Sequence, residues 1–228
     1  MKFNIFKSKT NKQTVAFYNI ENLFDIENDP LTNDDDFLPT SAKRWTPKRY
    51  DNKLKKLGKV ISQIGKEETN LAPIIVGLAE VENDAVLKDL IASKHLKEYP
   101  YQFVHYDSQD ERGIDVAFIY DSKKFEVLHS EIFTFTLTDE DGLPDYTRDI
   151  LLVSGLFLGE EMHFIVNHWP SRRTGDVATE FKRIKASEQV QSIIKRLQED
   201  YKNPKISIMG DFNDDPFSNS IKQLVNNI

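Results

Sequence analysis

Four stretches of this chain place carboxylates, amides or a histidine directly behind a short apolar run. In Lys205 to Pro216 (KISIMGDFNDDP), Ile206, Ile208 and Met209 predict a buried strand, Gly210 breaks it, and Asp211, Asn213, Asp214 and Asp215 follow. Side chains at a strand's C-terminal end leave the packed sheet and converge in loops, which is where open α/β sheets hold their ligands. Asp211 and Asn213, two residues apart on an extended segment, face the same side. One carboxylate and one amide so placed can hold a water and a phosphoryl oxygen together. The run Thr14 to Asn19 leads into Asn19, Glu21 and Asn22, and Pro73 to Ala79 leads into Glu80, Glu82 and Asn83. Met162 to Val166 leads into Asn167, His168, Trp169, Pro170, Ser171, Arg172 and Arg173. Taken singly, each cluster also reads as an ordinary turn or helix start behind a strand. Their recurrence at separate strand ends favours one shared site.

His168 differs from His95, His105, His129 and His163, which read as structural. It follows a strand and is succeeded by proline and two arginines, an arrangement suited to clamping a phosphate. Asp115 interrupts the apolar run Ile114 to Tyr120, and a carboxylate there must be paired or functional, because burying it alone is costly. Asp34, Asp35 and Asp36 read as solvated surface, since consecutive side chains point in different directions.

The elements that must position these groups follow from periodicity. Thr46 and Pro47 open a helix carrying Leu54, Leu57, Val60, Ile61 and Ile64, which Gly65 ends. A second helix runs from about Asn83 to Ser93. The runs at 101–106, 114–120, 125–128, 132–137 and 148–158 are β-type with short polar turns, so an antiparallel region occupies the middle of the chain. A long amphipathic helix, Val177 to Asp200, carries Phe181, Ile184, Val190, Ile193, Ile194 and Leu197. Alternating αβ flanks around an antiparallel middle fit two sheets packed face to face with helices outside.

Composition bounds the chemistry. The chain has 228 residues, 39% of them hydrophobic, and no cysteine, so thiolate zinc sites and cysteine nucleophiles are excluded. A net charge of −7 disfavours loose adhesion to nucleic acid, which needs a basic patch, but it leaves room for phosphate substrates held through a divalent cation or local arginines. The basic N-terminus lacks the apolar run of about 7 to 15 residues that a signal peptide needs, and nothing approaches the roughly 20 apolar residues of a membrane span. A short tail on a cytoplasmic protein with no membrane partner is the expectation.

The stretches AFYNIENLFD (Ala16 to Asp25), IIVGLAEVEN (Ile74 to Asn83), DERGIDVAFIYD (Asp110 to Asp121), FIVNHWPSRRTG (Phe164 to Gly175) and IMGDFNDDP (Ile208 to Pro216) together resemble the endonuclease/exonuclease/phosphatase family, the DNase I-like fold. The resemblance implies one α/β (α+β) domain over residues 1–228, a two-sheet β-sandwich flanked by helices. It implies that Asn19 and Glu80 hold a divalent metal, and hard oxygen ligands suit Mg²⁺ or Mn²⁺. It implies that His168 contacts the scissile phosphate, that Asp211 orients or deprotonates water, and that Asn213 bonds the phosphoryl oxygens in the transition state. Arg112, Arg172 and Arg173 are then candidates for the non-scissile phosphates.

One departure matters. Members of this family finish with further strands and an Asp-His pair, whereas this chain reaches Ile228 without them, so a domain lacking its C-terminal strands is expected. The implied function is metal-dependent hydrolysis of phosphodiester or phosphomonoester bonds, most simply by a nuclease-type phosphodiesterase acting on a phosphate ester, nucleic acid included. The alternatives are a phosphate-binding, catalytically impaired remnant and a hydrolase of lipid or sugar phosphates.

Overall fold

The computed structural model describes residues 12–138, 141–173 and 175–226. Residues 1–11 of the expected N-terminal tail, and the last two residues of the chain, lie outside them. In chain order the elements are β1 (Val15–Leu23), α1 (Pro47–Ile61), α2 (Lys66–Thr69), β2 (Ile75–Val81), α3 (Asp84–Ala92), β3 (Tyr101–His105), β4 (Asp115–Asp121) and β5 (Phe125–Phe133). They continue as β6 (Leu137–Thr138), β7 (Pro144–Asp145), β8 (Ile150–Phe157), β9 (Glu160–His168), α4 (Asp176–Asp200), β10 (Ile206–Asp211) and α5 (Asn219–Asn226).

One sheet has the order β1-β2-β4-β3 and the other β10-β9-β8-β5, with β6 and β7 forming a small hairpin. The inner faces meet through Ile75, Ala79, Val116 and Phe118 from the first sheet and Leu151, Val153, Phe164, Val166 and Met209 from the second. Phe118, Phe125 and Phe164 are fully buried there with ring centroids 5.5–5.6 Å apart. Each such side chain contributes roughly 1.5–3 kcal/mol through burial alone. The outer face of the first sheet packs on α1 and α3 through Leu54, Leu57, Ile61, Val86, Leu87 and Leu90. The outer face of the second packs on α4 and α5 through Val190, Ile193, Ile194, Leu197 and Leu224. This is the expected sandwich with helices outside.

Both sheets carry a parallel pair, and this orients the site. β1 runs parallel to β2, and β10 parallel to β9, so Asn19 and Glu80 lie at one C-terminal edge and His168 and Asp211 at the other. β2 is apolar and buried on both faces up to Ala79, as a central strand requires.

Several boundaries differ from expectation for identifiable reasons. The strand expected to stop at Asn19 continues to Leu23, because Ile20 and Leu23 still point into the core, with the register broken between Asn19 and Leu23. The runs expected at 125–128 and 132–137 are not two strands: residues 125–133 form one strand, β5, which pairs with β8 across an irregularity between Val127 and His129, and Leu137 belongs to β6. The first helix ends at Ile61 rather than beside Gly65, which instead sits at φ 69° ahead of α2. Its Val60 is exposed, as is Phe181 of α4, although both fall on the apolar stripes that helical spacing predicts. Arg183, Ser187 and Thr179 occupy the buried face of the first turns of α4 instead. Asp34 is no surface residue: it is 1% exposed and accepts a hydrogen bond from the Asp29 backbone N–H at 2.9 Å.

Candidate active site

The two strand-end edges meet at Asn19. Its Nδ2 donates to Glu80 Oε1 at 3.2 Å and to Asp211 Oδ2 at 3.0 Å, so one amide ties together carboxylates from different sheets. Asn19 Oδ1 accepts from the Glu21 backbone N–H at 2.9 Å, which fixes the amide's orientation. Glu80 is aimed by a bulge: the pairing of β2 with both β1 and β4 breaks between Ala79 and Val81, and Glu80 takes φ 66°. Bulges re-aim side chains beside functional sites. Glu21 (φ 55°), Asn22 (φ 61°) and Asn213 (φ 49°) share this left-handed conformation, which costs about 1–3 kcal/mol per non-glycine residue and clusters where geometry is over-determined by function.

Asp211 Oδ1 accepts from the Asn213 N–H at 3.0 Å, and Asn213 Nδ2 donates to the Trp169 carbonyl at 2.9 Å. Trp169 is 1% exposed and packs edge-on against Phe212 with centroids 4.9 Å apart. Asn167, fully buried, holds the Trp169 indole N–H at 3.2 Å and donates to the Met209 carbonyl at 3.2 Å. The apolar and amide neighbours of His168 thus lock β9 to β10 beneath the site. His168 itself is 5% exposed, with Nε2 3.9 Å from Glu80 Oε1. Burial, followed by the nearby Arg148 and Arg112 guanidinium groups, drives its pKa down to about 2, so the ring is neutral at physiological pH.

A cleft of ≈ 470 Å³ opens over these groups and is lined by Glu80, His168, Asp211, Asn213, Arg112 and Arg173, among others. Of the residues given roles by the resemblance, all but one converge here, while Glu82 and Asn83, from the same strand-end clusters, line a neighbouring cavity and Asp214 is held by arginines behind the loop. Arg172 turns away: its Nε donates to the Asn213 carbonyl at 2.7 Å and its NH2 to Asp214 Oδ1 at 2.5 Å. It braces the loop after β10 rather than facing the cleft. Asp214 is its anchor, and also receives Ser218, Ser220 and Arg183. Burial alone would raise the Asp214 carboxyl, but these donors outweigh it and hold it below the usual carboxylate range. Arg112 donates to Asn22 Oδ1 while lining the cleft.

Arg148 escaped the sequence reading, where it merely opened a β-run. It is 8% exposed, lines the cleft, and donates to Asp110 Oδ2 and to the Trp169 carbonyl, both at 3.0 Å. Its sequence signal was a cation heading the apolar run at 150–157, the same signal that drew attention to Asp115. Asp115 proves to be paired, with Oδ1 accepting from the Ser108 N–H at 3.0 Å and Oδ2 lying 3.3 Å from His105 Nε2.

His105, Asp107 and Asp115 offer donor atoms within 4.8 Å of one another. Burial lowers the pKa of His105, but Asp115 and Asp84 more than compensate and raise it, which favours ion pairing within this cluster. For a divalent cation, the donor set at the strand ends is better matched. Glu80 and Asp211 are hard carboxylates converging on one amide, Arg112 and Arg148 stand close by, and the chain has no cysteine thiolate.

Residues 14–228 match the model of the Endonuclease/Exonuclease/phosphatase family. Similar solved structures include a protein of that family from Bacteroides thetaiotaomicron, at 20% identity and TM-score 0.56, covering 92% of this chain and 65% of that one. The mannosyl-6-phosphatase Bt3783 of Bacteroides thetaiotaomicron VPI-5482 aligns at 23% identity and TM-score 0.57, covering 94% and 70%. The human Nocturnin catalytic domain with bound sulfate aligns at 16% identity and TM-score 0.50, covering 73% and 60%. At these identities the likeness is one of fold. The chain spans 60% and 65% of the Nocturnin and first Bacteroides structures. No curated protein matches.

Proposed function

Because this chain belongs to the endonuclease/exonuclease/phosphatase family, we propose that residues 14–228 form a single catalytic domain that hydrolyses phosphate esters with the help of Mg²⁺ or Mn²⁺. The observation that carries this reading is the meeting of Glu80 and Asp211 on the Asn19 amide, across two sheets, over a cleft also lined by His168, Arg112 and Arg148. Glu80 and the remaining lone pair of Asn19 Oδ1 would hold the cation, which would supply Lewis-acid polarisation of a phosphoryl oxygen.

The chain's own residues have distinct tasks. Asp211 keeps free lone pairs on both oxygens after accepting from Asn19 and Asn213, and these orient the attacking water and draw its proton. Asn213 retains one N–H beyond its bond to Trp169 and offers it to the phosphoryl oxygen as charge grows there. His168, neutral and held by burial, serves as a hydrogen-bonding partner to the phosphoryl group, not as a cationic acid. Arg112, Arg148 and Arg173 bind the remaining charge of the ester.

The test is release of product from a chromogenic phosphodiester and a chromogenic phosphomonoester, with Mg²⁺, with Mn²⁺, and with a chelator. Turnover of either ester that the chelator removes is expected. Chelator-insensitive turnover would overturn the metal-assisted scheme, and binding of inorganic phosphate with no turnover of either ester would leave a phosphate-binding domain.

A further inference from the structure

Beside the catalytic cleft lies a larger trough of ≈ 650 Å³, and the two share Glu111 and Tyr146 as wall residues. Its lining differs sharply in chemistry. The cleft carries Arg112, Arg148, Arg173 and Lys182, whereas the trough, among the described residues, has no lysine or arginine and is lined by the acids Asp25, Glu27, Asp29, Glu82, Asp107, Asp110, Glu111 and Asp115 together with asparagine and glutamine amides. An ester held by its phosphate in the cleft must send its other end somewhere, and the trough is the adjoining cavity.

Resting on the hydrolase reading above, we propose that the trough is the leaving-group site and that it takes an uncharged polyhydroxylated group, so the substrate is a sugar-like phosphate ester and not a polynucleotide. A nucleic acid strand running from the cleft into this trough would bring further phosphates against carboxylates, with no cation to meet them. Sugar hydroxyls each donate and accept, and they need acceptors and donors interleaved along a wall. The trough supplies acceptors in its carboxylates and donors in its amides, and Tyr146, 46% exposed at the junction, offers an aromatic face to an apolar sugar face.

Several of the carboxylates are already neutralised or bonded within the protein. Asp110 is paired with Arg148, Asp115 lies against His105, and Asp25 accepts from the Asn83 amide at 3.0 Å. The wall's remaining acids repel anions, while these bonds lessen its demand for a cationic ligand. A quaternary ammonium group would call for an aromatic cage, and Tyr146 is the single aromatic side chain lining the trough among the described residues. Thr32 Oγ1, on a half-buried residue of this wall, has no hydrogen-bond partner, and neither does Oδ1 of Asp34, which does not itself line the trough. Thr32 lines the trough, and Asp34, 1% exposed, is bonded to the backbone of Asp29 and acts on Glu82, both lining residues.

Binding tests this without requiring turnover. The 228-residue chain with Mg²⁺ is titrated with a hexose 6-phosphate, phosphoethanolamine, a single-stranded oligonucleotide and inorganic phosphate, and the first and last titrations are repeated on Tyr146→Ala and Asp107→Asn. The hexose phosphate is expected to bind tighter than the other three. Each variant is expected to weaken it about 3- to 10-fold, the worth of one lost contact, while changing inorganic phosphate far less. A tighter oligonucleotide or phosphoethanolamine, or equal hexose phosphate affinity in both variants and wild type, would overturn the proposal. Hexose phosphate binding that follows this pattern in a chain that hydrolyses no ester would instead sink the hydrolase reading and leave the trough's specificity standing.

Discussion

His168 is the residue whose protonation most constrains the chemistry. Its ring is buried beneath Glu80 with Arg148 and Arg112 nearby, and its folded pKa falls from 6.5 to about 2. The sign of the linkage follows: an unfolded chain takes up a proton at this histidine below about pH 6.5 while the folded one does not, so stability falls as pH drops through that value. We expect the ring ¹⁵N shifts of His168 to remain those of a neutral imidazole from about pH 8 to about pH 5, the range in which an ordinary histidine charges. A titration midpoint near 6.5 in the native protein would contradict this. His168→Gln should lose less stability than wild type over the same acid range, measured as melting temperature against pH. The sequence singled out this histidine by its position behind a strand, but not its charge state, because Arg148 and Arg112 reach it only through the fold.

At the scale of elements, the site depends on how closely β10 lies against β9 and on how α4 holds the loop that follows. Gly210 is opposite Asn167 in the parallel pair, and a Cβ there would stand 2.4 Å from the Asn167 carbonyl oxygen. Gly210→Ala must therefore separate the strands and displace Asp211, the next residue. Overpacking of this kind costs about 1–3 kcal/mol. Denaturant unfolding should show that loss, and Mn²⁺ affinity should fall with it; a variant matching wild type in both would mean that β10 has room to spare. Arg183 of α4 is 1% exposed and donates to Asp214, Asp176 and Thr179 at 2.7–3.0 Å. Arg183→Met leaves Asp214 short of a buried partner, and breaking such a pair costs about 3–5 kcal/mol. Adding Asp214→Asn, which removes the charge while keeping an acceptor for the neighbouring donors, should recover part of the loss in the same unfolding measurement, and no recovery would argue against the pair as its cause. The strands were legible because apolar runs ending in acid stand out in sequence. The role of Arg183 was not, since one arginine in a charged helix looks like solvent-facing surface, and Phe181 beside it looks like core but is 48% exposed.

At the scale of the whole molecule, two sheets that are distant in sequence bring their strand ends into one cleft, with Asn19 and Asp211 separated by 192 positions yet 3.0 Å apart. The family resemblance made this convergence readable in advance. The acidic trough was not, because its wall joins residues of three recognised stretches, such as Asp25, Glu82 and Asp110, to the loop at 27–33 and to Tyr146, and only the fold shows that these enclose a second cavity. Asp34 shows the same limit: three consecutive aspartates read as surface, and only the packed loop reveals that one is buried. Among the described residues no helix is long and apolar enough to cross a membrane. The central claim is that Asp211, held by Asn19 against Glu80, acts on the water that attacks a phosphate ester. It is tested most directly by the Mg²⁺-dependent rate on a chromogenic phosphate ester for wild type and Asp211→Asn, with inorganic phosphate affinity measured alongside. The account predicts a fall of about 10²- to 10⁴-fold in rate with phosphate still bound, and equal rates in the two proteins would contradict it.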